Sequence, residues 1–186
     1  MFFKFTAEHL ASVSAFLAIL YLGAWPLFRS RVAMLAMQLT ALGWLTLHYA
    51  LVGAMTAAGV NLLGAIQIAV CLLSGDRPRW QWIGYALAGL IVAVGIITWE
   101  GFISGLAVIG MAFVALGRAQ AGAQAMRVLV LAGTPFWLIH DLLIASPIAI
   151  ADAISLMVGL WSLIRPAGVP DQASQERHSQ SRLSPP

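Results

Sequence analysis

Residues 42–51 read Leu42-Gly43-Trp44-Leu45-Thr46-Leu47-His48-Tyr49-Ala50-Leu51, and residues 134–143 read Thr134-Pro135-Phe136-Trp137-Leu138-Ile139-His140-Asp141-Leu142-Leu143. At an offset of 92 residues His48 meets His140, Trp44 meets Phe136 and Leu47 meets Ile139. Each histidine stands near the end of an apolar run, about five residues before a turn that leads into another apolar run. The rest of the chain is equally apolar. Of 186 residues 61% are apolar and 9% charged, against about 45–50% and about 25% in a soluble domain. Mean hydropathy is +0.89. A water-soluble globule of this size still turns roughly a third of its chain's surface to water and could not hide so much apolar area. Cytosolic enzymes, disordered chains and fibres are thereby excluded, and lipid is the solvent.

The formal net charge is +3, with ten Lys and Arg residues spread in ones and twos, so the clustered patch that nucleic acid needs is missing. Cys71 is the single cysteine, which leaves no disulfide framework or CxxC knuckle within one copy. No GxSxG, HExxH or P-loop pattern occurs, so no enzyme activity is expected. The two interior His and two Asp lie on three helices without a tight motif, so neither a metal nor a cofactor is expected.

A bilayer core of about 30 Å takes roughly 20 apolar residues of helix. Breaking the chain at charges and turn clusters gives seven segments, about 10–28, 33–53, 55–74, 81–99, 101–117, 127–145 and 147–164. Pro147 suits the first turn of the last helix. Several loops are so short that neighbouring helices must be antiparallel hairpins. Lys4 before an apolar run resembles a signal peptide, but Glu8 and His9 interrupt it. Pro26, Arg29 and Arg31 then follow like a membrane exit, so this segment is expected to remain as a span.

With seven spans Arg29, Arg31, Arg77, Arg79, Arg118, Arg127, Arg165, Arg177 and Arg182 share one side, and Lys4 alone takes the other. The positive-inside rule then puts the N-terminus outside and the C-terminus in the cytoplasm. Residues 166–186, rich in Ser, Gln and Pro, are expected to form a disordered cytoplasmic tail. Segments 1–3 and 5–7 both begin outside and end inside, as a parallel duplication with one linking helix requires. The expected architecture is all-α and polytopic, a seven-helix transmembrane domain over residues 1–165. Two parallel three-helix bundles, 10–74 and 101–164, are joined by a linker helix at 81–99, a 3+1+3 plan.

Leu47-His48-Tyr49-Ala50-Leu51-Val52-Gly53, with the small-residue helix that reaches Gly64, resembles the bacterial YgjV-type inner membrane proteins. So does Trp137-Leu138-Ile139-His140 with the later Asp152, and the closing Leu160-Trp161-Ser162-Leu163-Ile164-Arg165. The resemblance covers roughly residues 10–165 and implies the bacterial inner membrane, with a periplasmic N-terminus. Such proteins look related to the PQ-loop and SWEET class of small transporters, which implies a pair of three-helix bundles around a central substrate path. The Pro-Gln pair of that class is absent: Leu27 follows Pro26, and helix 5 has no proline.

Ionisable groups inside hydrocarbon normally face a cavity or a partner. His48, His140 and Asp152 lie about five residues inside the outer turns and Asn61 about seven, roughly 7–11 Å down. Each half is therefore expected to set a His of its second helix against an Asn or Asp of its third. His48, Asn61, His140 and Asp152 form the expected outer site, with Trp44 and Trp137 as apolar walls. An imidazole beside a carboxylate can carry a proton near neutral pH. Asp141 is placed equally well at the outer interface, and Trp80, Trp82 and Trp99 in the interfacial belt. Gly101 and Gly105 permit close helix contact within one chain or between two in a homodimer.

The expected function is a small secondary transporter or facilitator that moves a small polar solute between the bundles, with proton coupling through His140 and Asp152. Pro26 and Pro135 are the expected flexure points. The alternative is a non-transporting scaffold or assembly protein that keeps a carrier-like fold, since fold alone does not imply function.

Overall fold

Inside lipid an apolar segment can satisfy its backbone N–H and C=O groups only by winding into a helix or closing a barrel. The chain takes the first course. A computed structural model describes residues 2–53, 55–74, 78–97, 99 and 101–164, with side chains at 8–53, 58–74, 82–97, 99 and 101–164. It contains α1 (Phe2–Ala24), a 3₁₀ turn at Trp25–Leu27, α2 (Arg31–Leu51), α3 (Met55–Ser74), α4 (Pro78–Ile97), α5 (Phe102–Ala119), α6 (Ala123–Leu143) and α7 (Ala149–Ile164). Four stretches are long and apolar enough to cross a membrane: Glu8–Leu27, Arg31–Leu51, Phe102–Ala119 and Ala123–Leu143. Ala58–Ser74, Trp82–Ile97 and Ala149–Ile164 are shorter apolar helices. The expected tail, and the side chains of Lys4, Arg77, Arg79, Trp80 and Glu100, lie outside the described residues.

Two boundaries differ from expectation for one reason. Arg118 was expected to break a helix, yet α5 continues through it to Ala119. Likewise α6 begins at Ala123, ahead of Arg127. Arginine is a good helix former, and its long stem can carry the charge away from its own turn. Pro147 stands in the turn before α7, not in its first turn.

The surface is inverted relative to a water-soluble protein. Leu73, Ile97 and Ile164 are 83%, 82% and 80% exposed, whereas Ser14, Gln38, Gln67, Arg118, Thr134, Asp141 and Ser155 are buried. Each helix packs on its sequence neighbours, α1 closes onto α7, and α3 touches α5. Exchanging α1–α3 with α5–α7 carries this pattern onto itself: α1/α2 becomes α5/α6, α2/α3 becomes α6/α7, and α1/α7 becomes α5/α3. Helix α4 lies outside the exchange, against α3 and α5. Among the described residues the extended contacts do not include α1/α3 or α5/α7. Each set of three is thus a row with α2 or α6 in the middle, a looser grouping than the bundles expected.

The middle helices match in detail. Both α2 and α6 are 21 residues long, and both ends are offset by the same 92 residues. Both end alike. Val52 N–H bonds His48 O and Ile144 N–H bonds His140 O, each at 3.1 Å. The next residue has positive φ in each case, Gly53 at 82° and Ala145 at 53°. Glycine takes this conformation freely, whereas alanine is strained in it.

Helices α5 and α6 touch almost backbone to backbone. A Cβ built on Gly133 would lie 2.8 Å from Gly110 O, and one on Gly110 would lie 2.8 Å from Trp137 Cδ1. Small residues of this kind let membrane helices approach closely. Gly105 of the expected helix-contact pair is covered within the chain by Trp99, whose ring would stand 2.8 Å from a Cβ there.

Two substitutions test this packing by thermal unfolding in detergent. Ala145→Gly should relieve the left-handed strain and raise stability by up to about 1 kcal/mol. Gly133→Ala meets a carbonyl that cannot swing aside and should cost about 1–3 kcal/mol. Gly43→Ala, with nothing within 4 Å, is the neutral control.

Candidate functional site

The last turn of α6 and the first turn of α7 are joined by a tight corner. Ser146 N–H bonds Asp141 O at 2.8 Å, and Ser146 Oγ accepts from Ile148 N at 3.2 Å. This places Asp152, in the first turn of α7, beside Asp141. His140 Nδ1 is 2.8 Å from Asp141 Oδ1, and the Trp137 ring meets the imidazole edge-on at 5.4 Å. Asp141 is buried. Asp152 Oδ2 is also buried and meets no donor. Two carboxyl groups and an imidazole are thus gathered at one corner, the set of groups that proton exchange needs. Tyr49, on the matching turn of α2, lies in the field of both carboxyl groups.

The expected pairings change accordingly. The ion pair is His140 with Asp141, and Asp152 reaches the cluster through Asp141. His48 Nδ1 lies 2.9 Å from Ala11 O of α1, and its ring meets Tyr49 edge-on at 5.3 Å. Asn61 is half-buried on α3 and has interactions of its own. Trp44 packs against the central apolar core. The strict offset explains why the halves differ, since it pairs Asp152 with Val60 and Asn61 with Ala153. A slip of one residue turns a side chain about 100° around a helix. Sequence reasoning leaves out Tyr49 and sets Asp141 as readily at the outer interface as in a site. The signal was available, because the same offset pairs them.

A second polar group lies at the other end of the helices, where the described arginines gather. Arg31 Nε donates to Gln120 O and Arg127 Nη2 donates to Phe28 O, each at 2.6 Å. Phe28 and Gln120 are themselves 92 residues apart, so each half offers an equivalent carbonyl to an arginine of the other. Arg118 Nε donates to Gln38 Oε1 at 2.8 Å. Among the described residues, no group of three His, Cys, Asp or Glu is placed to hold a metal ion.

An all-helical fold, apolar outside and polar inside, with several helices able to cross a bilayer, defines a polytopic membrane protein. The family is also shown: residues 7–168 match the Imp-YgjV family of bacterial inner membrane proteins, and the chain belongs to it. No curated protein and no solved structure matches the chain.

The cluster predicts unequal effects of two substitutions on thermal unfolding. Asp141→Ala strands both His140 and Asp152 and should cost about 1–3 kcal/mol. Asp152→Asn leaves an amide that can still donate to Asp141 and should cost less than about 1 kcal/mol.

Proposed function

We propose that this inner membrane protein is a small secondary carrier or facilitator of a small polar solute. It works by alternating access between α1–α3 and α5–α7, two parallel repeats linked by α4 in a seven-span, 3+1+3 plan like that of the PQ-loop and SWEET class. The N-terminus is periplasmic and the C-terminus cytoplasmic, so the histidine end opens outward. One observation carries the reading: a buried Asp141, paired with a partly buried His140 and with Asp152 beside it, gathers ionisable groups inside a lipid-embedded chain. Intramembrane ionisable groups are costly and commonly mark ion or proton paths. The cluster supplies the coupling proton, and His48, Asn61, Trp44, Trp137 and Tyr49 line the outer path. Pro135, inside α6, and Pro26, in the 3₁₀ turn, supply flexure.

The scaffold reading has one observation in its favour. His48 clamps α2 to the Ala11 carbonyl of α1, a contact that steadies a helix pair without any solute.

Purified protein in liposomes, screened with radiolabelled sugars, amino acids and small acids under an inward proton gradient, separates the two. The carrier reading expects uptake of one class, lowered about tenfold or more by Asp152→Asn, which keeps the fold but not the titratable proton. Absence of uptake for all three classes, with Asp152→Asn indistinguishable from wild type, leaves the scaffold.

A further inference from the structure

Arg118 belongs to the last turn of α5, but its charge does not stay at the helix end. Nε is bonded to Gln38 in the interior of α2. Nη1 comes so near α3 that a Cβ on Gly64 would lie 3.3 Å from it. Gln38 is seven residues inside the start of α2 and Gly64 is midway along α3. At 1.5 Å per residue these positions are roughly 10–15 Å in from the arginine-bearing end. The guanidinium is therefore deep in the spanning layer, at the boundary between α5 of one half and α2 and α3 of the other.

Its described neighbours are neutral. The His140–Asp141 ion pair lies at the opposite end. Arg31, close by, holds the carbonyls of Gln120, Cys71 and Arg118, so it brings a further positive charge and no negative one. An arginine remains protonated in proteins, and a buried charge needs a counter-charge. A second observation points the same way. Gln38 is 2% exposed, and its Nε2 is buried with no partner, although the oxygen of the same amide is held by Arg118. An unused amide donor and a guanidinium thus belong to one bonded pair, and the missing side chain of Gly64 lets Nη1 lie close to the backbone of α3.

We infer that Arg118 and Gln38 form a binding site for an oxyanion, the carboxylate or phosphate of a small solute. A planar fork with two parallel N–H groups fits two oxygens of one anion, and the amide N–H₂ supplies a further bond. As a substrate assignment this rests on the carrier reading: the solute is an acid whose negative charge crosses together with the coupling proton. As a binding site it stands without that reading. A lipid headgroup phosphate has the same chemistry and is the other source of such an oxyanion.

The test uses the full chain in nanodiscs of phosphatidylcholine, its thermal midpoint titrated with sodium phosphate and sodium succinate against sodium chloride at equal ionic strength. The site predicts a saturable rise with at least one oxyanion that chloride does not give. Arg118→Lys keeps the charge but loses the fork, Gln38→Leu removes the amide, and Gly64→Ala narrows the space beside Nη1. Each should weaken the apparent affinity about tenfold or more, while the exposed Arg29→Gln responds as wild type. Should Arg118→Lys fail to fold, Gln38→Leu and Gly64→Ala carry the test. An unresponsive wild-type protein, or folded variants that respond as wild type does, overturns the site. In discs containing phosphatidylglycerol, loss of the response assigns the site to a headgroup phosphate, and a retained response assigns it to a solute. Liposome flux separates this inference from the carrier reading. Binding without flux removes the carrier and leaves the site, whereas flux with no oxyanion binding removes the site and leaves the carrier.

Discussion

Hydrocarbon offers no hydrogen-bonding partner, and this constraint governs where every polar group of the chain is placed. The short hydroxyl side chains meet it locally. Thr40, Thr46, Ser74 and Thr134 each bond the carbonyl four residues back in their own helix. The longer ones must reach a neighbour, and in doing so they set how helices align. Gln67 donates to Gly84 O of α4 and Ala115 O of α5. Ser155 of α7, although a short hydroxyl, also reaches across and donates to Leu22 O of α1. Each such link is worth only about 0.6 kcal/mol, so the gain is mainly in register. A helix that rotates out of place leaves a polar group facing lipid.

The matched helices α2 and α6 share a frame, and the residues on that frame differ. Equal helix lengths and equal C-caps persist in α2 and α6, because backbone geometry tolerates little drift. At the matched turns Tyr49 stands where Asp141 does, and Val60 where Asp152 does. The carboxyl pair therefore exists on one side of the pseudo-symmetric arrangement, with the first half contributing a phenol and a histidine tied to α1. At the opposite end the guanidinium of Arg118 has Pro26 as its counterpart. The carboxyl pair and the inward guanidinium thus both come from the second half.

Much of the fold was legible because it follows from quantities that single residues report: apolar length, breaks at turns, and the arginine pattern. The third helix was bounded at 55–74 and is found at Met55–Ser74. The histidine-centred repeat already held the offset that aligns α2 with α6. Side-chain direction was less legible. A charge was taken to mean a helix end, but Arg118 lies within α5 and sends its guanidinium inward. Asp141 had two outlets, water or α7, and only the corner at Ser146 decides between them. Pairing His140 with Asp152 across helices also overlooked the carboxylate next to the histidine in sequence.

The paired bonds from Arg31 to Gln120 and from Arg127 to Phe28 have a mechanical consequence. Because each crosses from one repeat to the other, any parting of the repeats at that end strips both guanidinium groups of these acceptors in a single movement. The two bonds therefore act as a paired clasp that joins the two sets of helices at both sides of the arginine end.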